Sequence, residues 1–111
     1  MISSANCVTL VPERDRLAQP DVVLLRAAQI VLERGLCQGP WRPCGSLCAA
    51  GAIGEAAEER GLTREVMEIH LLRLAGSLGG SDVRHVHAWN DEPGRTAADV
   101  VEALHLAAYG L

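Results

Sequence analysis

The sequence predicts an all-α domain: a compact bundle of four main helices, a short fifth if residues 82–89 coil, and an irregular N-terminal arm. Three observations lead there. Apolar residues recur at three- and four-residue spacing in several separate stretches, and clusters of glycine and proline divide those stretches. Only one short run, Cys7-Val8-Thr9-Leu10-Val11, reads as a strand, and no second convincing strand is present to pair with it. A chain of 111 residues has room for one core, so residues 21–111 read as a single helical domain and residues 1–20 as an arm.

The arm carries Pro12 and Pro20 and lacks helical periodicity. Asp21 is placed to cap a first helix, whose stripe is Leu24, Ala27, Ala28, Val31 and Leu32 and whose end is Gly35. Residues 35–45 hold three Gly and two Pro, together with Trp41, Cys37 and Cys44, and form a long loop. Ser46 is then expected to cap a second helix running to Gly61. Its stripe, Ala49, Ala52, Ile53 and Ala56, is almost wholly small, and Gly51 and Gly54 widen the bare patch. A helical glycine costs about 1 kcal/mol against alanine, which implies a neighbour that approaches closely. That neighbour is either another helix of the same chain or a second copy, so a homodimer through this face is one expectation.

Thr63 is expected to cap a third helix through Gly76, broken by Leu78-Gly79-Gly80-Ser81. Residues 82–89 alternate like a strand but also space Val83, Val86 and Trp89 like a helix, and the want of a partner strand favours the helix. Thr96-Ala97-Ala98-Asp99 resembles a capping box with Asp in the Glu position. Val100, Val101, Leu104, Ala107 and Ala108 then give the clearest apolar stripe of the chain.

Composition excludes several functions. The formal net charge is −4 and no basic cluster occurs, so phosphate-driven nucleic-acid binding has no footprint. No apolar run approaches the ~20 residues of a membrane span, and the N-terminal residues do not resemble a secretory signal. A cytoplasmic setting follows, in which Cys7, Cys37, Cys44 and Cys48 stay reduced rather than forming two disulfides. Phosphate loops, paired catalytic carboxylates and dinucleotide fingerprints are absent from the sequence.

Two chemistries remain open. Cys48 lies at the start of the second helix, where the dipole favours a thiolate, and His85 or His87 with Asn90 or Asp91 would complete a nucleophile, a base and an orienting group. The competing reading packs Cys48 in the core as a small hydrophobe. Cys44-x3-Cys48 with His85-x-His87 offers four zinc-type ligands at a spacing unlike the usual Cys-x2-Cys, so neither a metal nor any other cofactor is expected. His70 and His105 read as ordinary boundary histidines.

The densest polar stretch is Trp89-Asn90-Asp91-Glu92-Pro93-Gly94-Arg95-Thr96. Each residue has a structural duty available: core anchor, Asx turn, Pro-Gly turn, helix cap, and Arg95 reaching back to Asp91 or Glu92. The same residues would also suit a binding edge made of Trp41, Trp89, Asn90, Asp91 and Arg95.

Cys48-Ala49-Ala50-Gly51-Ala52-Ile53, followed by Trp89 to Thr96 and then Ala97-Ala98-Asp99-Val100-Val101-Glu102-Ala103-Leu104, resembles DUF6197, a family of small actinobacterial and phage proteins of unknown function. The resemblance spans roughly residues 21–108. It implies a compact helical domain, supplies no activity, and suggests that the Trp89–Thr96 segment folds against the start of the second helix. The functional expectation is a small cytoplasmic accessory or interaction protein without catalysis of its own, binding a protein partner or a second copy. The alternative is an enzyme or small-molecule binder built on Cys48.

Overall fold

The computed structural model describes residues 19–38 and 47–110. The expected arm before residue 19, Trp41, Cys44 and the Ser46 cap lie outside the described residues. Five helices follow in order: α1 (Val22–Arg34), α2 (Ala49–Glu59), α3 (Arg64–Ser77), α4 (Val83–Asn90) and α5 (Ala97–Ala108). The fold is all-α, and residues 83–90 coil as the short helix α4.

Local chemistry accounts for most helix ends. The Asp21 carboxylate accepts the Val23 and Leu24 amides at 2.9 and 3.1 Å, satisfying two of the donors that a helix start leaves orphaned. Gly35 ends α1 at φ +85°, a conformation that an L side chain resists. Thr63 accepts from the Val66 amide to open α3, and Asp82 from the Arg84 amide to open α4. Thr96 and Asp99 form the expected reciprocal box at the start of α5, with bonds of 3.1 and 3.0 Å.

The second helix starts differently from the expectation. Its cap is Cys48, whose Sγ accepts from the Gly51 amide at 3.3 Å. Cys48 is therefore the residue before the first turn. Just upstream, the chain entering α2 pairs with the chain leaving α1: Leu36 and Leu47 form an isolated parallel bridge.

Helix α1 is the central element, lying against both α2 and α5, while α3 packs on α4, α5 and α2. The alanine stripe of α2 settles the question of its neighbour. Ala49, Ala52, Ile53 and Ala56 are fully buried within the chain's own core, in a cluster with Leu24, Ala27, Ala28 and Val31 of α1. Small side chains let these two helices approach closely, so the stripe serves internal packing. Leu24, Ile30, Ile53, Leu74 and Leu104 are the largest fully buried side chains, each contributing about 2 kcal/mol of transfer free energy. Surface ion pairs clasp the α1–α2 seam: Arg26 chelates Glu59 at 2.9 and 3.1 Å, and Arg34 meets Glu55.

Candidate functional site

The Trp89–Thr96 segment closes α4 and turns into α5, and its side chains divide into an inner and an outer set. Asn90 belongs to the inner set and is 1% exposed. Its Oδ1 accepts the Ala49 amide at 2.9 Å, and its Nδ2 donates to the Cys37 carbonyl and to Asp91 Oδ1, both at 3.0 Å. One amide thus caps the start of α2, the chain after α1 and the end of α4 together. Gln38 adds a second tie, its Nε2 donating to the carbonyls of Asn90 and Glu92 at 2.9 Å each.

Trp89 and Arg95 form the outer set. The Arg95 guanidinium lies 3.9 Å from the centre of the Trp89 ring. Its Nε donates to the Trp89 carbonyl at 2.9 Å, and a terminal nitrogen donates to Glu92 at 2.8 Å. The contact with Glu92 is one of the two the sequence left open to Arg95. Stacking and three-sided fixation hold the arginine flat on the indole, a cation–π contact of about 1 kcal/mol at such a site. Trp89 and Arg95 wall one end of a groove of about 220 Å³, with Ser77, Leu78, Ala103 and Leu106 along it and Asp99 and Glu102 at its edge.

The placement of Asn90 against Ala49 joins the two stretches that the resemblance singled out, and the family comparison agrees. A model for a family of unknown function, DUF6197, matches residues 15–109. The chain belongs to the DUF6197 family. No curated protein and no solved structure matches it.

In this DUF6197 chain the residues of the thiol reading stand as follows. Cys48 is buried at the α2 cap, beside Ala49, to which Asn90 is bonded. His87 and Asp91 are exposed, and Asp91 accepts from Asn90. His85 is engaged elsewhere: its Nε2 lies 3.2 Å from the Leu78 carbonyl, and its ring occupies the space that a side chain at Gly80 would need. Among the described residues no three histidine, cysteine, aspartate or glutamate side chains gather as a metal site. Trp41 lies outside the described residues.

A second polar cluster escapes sequence reading. The Asp21 side chain is 1% exposed, and beyond its capping bonds its Oδ2 takes His70 Nδ1 at 2.6 Å and the Arg73 guanidinium. His70, part-buried at the boundary of the core, is thus hydrogen-bonded from α3 to the residue that caps α1. Burial pushes the Asp21 carboxyl up. The His70 hydrogen bond, the Leu24 amide and the charges of His70 and Arg73 more than offset that, leaving it below its ordinary 3.8. The Asp21 amide also donates to the Ala108 carbonyl at 2.8 Å, so the cluster knots the start of α1 to α3 and to the end of α5. Gln38, Arg73, Glu102 and Leu106 are residues that the sequence did not single out, and the meeting of Asp21 with His70 was not foreseen. A partner 49 or 52 residues away leaves no periodic mark.

Proposed function

We propose that the chain is a small cytoplasmic helical accessory protein, without catalysis of its own, that receives a partner protein in the groove between α3, the α4–α5 turn and α5. The observation that carries this reading is the fixed Arg95–Trp89 stack at the groove's end. A partly buried tryptophan under an arginine, beside exposed Leu106, is the amphipathic, low-entropy surface on which interface energy concentrates. Charge selects the occupant. Asp99 and Glu102 edge the groove and the chain carries a net −4, so the fitting partner is a segment with an aliphatic anchor flanked by lysine or arginine.

Calorimetric titration with a ten-residue peptide of alternating leucine and lysine tests this. Binding by the wild-type chain is expected, weakened about tenfold by Glu102→Lys and by Leu106→Asp, both at exposed positions whose replacement spares the fold. Equal affinity in all three proteins would reject the groove. Of the binding edge of Trp41, Trp89, Asn90, Asp91 and Arg95, Trp89 and Arg95 then line the groove, while Asn90 is bonded to Ala49, Cys37 and Asp91.

The alternative of a thiol enzyme or small-molecule binder on Cys48 makes a different demand. Its sulfur must react with a thiol probe in the native state, with a labelling pH profile displaced from that of ordinary cysteine and altered by His87→Ala. Labelling only on unfolding would remove that alternative.

A further inference from the structure

Helix α3 is apolar on two sides. Its inner face, Leu71, Leu74 and Ala75, is buried in the core. On the opposite side Ile69 is 54% exposed and Leu72 45%, and Gly76 follows one turn later on the same stripe. Gly76 has a helical backbone, and among the described residues a Cβ there would meet nothing within 4 Å. Neither conformation nor internal packing calls for glycine at that position, whereas a close-passing neighbour would.

We infer that the outer face of α3 pairs with the same face of a second copy, the two helices running parallel about a twofold axis. The register decides between parallel and antiparallel. With Ile69 and Gly76 at a positions and Leu72 at the intervening d position, Glu68 falls at g and Arg73 at e. Parallel pairing sets each g residue against the e residue five places on in its partner, so Glu68 of either copy meets Arg73 of the other on both flanks. Antiparallel pairing would instead oppose g to g and e to e, and lose both contacts. A β-branched residue at a with leucine at d is also the combination that favours two parallel strands. Glu68 is exposed and the Arg73 side chain is 49% exposed, although one of its nitrogens holds Asp21, so the guanidinium has donors left for a second carboxylate.

The pairing is short and therefore weak. Glu65 continues the stripe at the d position one heptad before Leu72, where two copies would bring like charges together. Contact is thus centred on Ile69, Leu72 and Gly76, with the helices diverging toward Arg64. The pairing face shares none of the residues that line the groove of the proposed function, and the inference stands whether or not that reading holds.

Sedimentation equilibrium in reducing buffer, across protein concentrations from about 10 μM to 1 mM, tests the inference. A monomer–dimer equilibrium is expected. Ile69→Glu with Leu72→Glu should weaken it more than tenfold while circular dichroism and Tm hold, since both side chains are exposed. Glu68→Arg should weaken it several-fold by facing Arg73 with a like charge, and Glu65→Gln should tighten it. A wild-type monomer throughout the range would overturn the proposal, as would a dimer indifferent to the Ile69/Leu72 change. A dimer unaffected by Glu68→Arg would overturn the parallel register.

Discussion

Asn90 uses its side-chain oxygen and nitrogen on the Ala49 amide, the Cys37 carbonyl and Asp91 while almost wholly buried. Replacing it with alanine would strand the Ala49 donor and the Cys37 acceptor, each carrying a desolvation penalty of about 1–3 kcal/mol. Asn90→Ala is therefore expected to lose on the order of 3 kcal/mol of stability by urea denaturation, with the end of α4 and the start of α2 losing amide protection together. Asn90→Asp keeps an oxygen for Ala49 but turns like charge on the Cys37 carbonyl and on Asp91, and should fare no better. Arg95→Ala, by contrast, removes a partly exposed stack and should lower stability by about 1 kcal/mol. A measurement placing the two variants at equal stability would contradict the division of the segment into inner and outer sets.

At the scale of elements, the turn from α3 into α4 shows how closely one residue type can be specified by packing. An ideal Cβ on Gly80 would lie 2.2 Å from His85 Cγ and 2.6 Å from its Cβ, so the ring cannot swing clear without moving α4. Gly80→Ala should destabilise by about 1–3 kcal/mol, and Gly80→Ala with His85→Ala should lose less than Gly80→Ala alone, read as urea midpoints. If the two substitutions simply add, the contact is not the cause. The helices themselves were legible because their signals are local. The Asp21 and Thr63 caps, the Thr96–Asp99 box and the Gly35 stop all act within four residues of sequence. The α2 cap was misplaced for a corresponding reason: serine is the commoner capping oxygen, whereas here a cysteine sulfur takes the Gly51 amide and Asn90 supplies the Ala49 cap from 41 residues away. The site was half legible: the sequence marked Trp89 and Arg95, but the groove they close needs α3 and α5 side chains that only the fold assembles.

Asn90 and Asp21 are buried polar ties that each join helices far apart in sequence. Because the folded Asp21 carboxyl sits below its ordinary value, its contribution is complete above the unfolded value near 3.9 and is lost as pH falls through the lower folded value. Unfolding free energy should therefore decline as pH drops below about 4, and Asp21→Asn should be less stable at neutral pH with a flatter acid limb. An identical acid limb in Asp21→Asn and wild type would show that other carboxylates govern it. Among the described residues no helix is long and apolar enough to cross a membrane. The surface we propose for a partner is the groove at Trp89 and Arg95. The most direct test is an ¹⁵N–¹H spectrum of the wild-type chain titrated with the leucine–lysine peptide, alongside a control in which glutamate replaces lysine. Saturable shifts confined to Ser77, Leu78, the Trp89 indole, Arg95, Glu102 and Leu106 are expected, with none from the control; shifts elsewhere, or equal shifts from both peptides, would contradict binding in the groove.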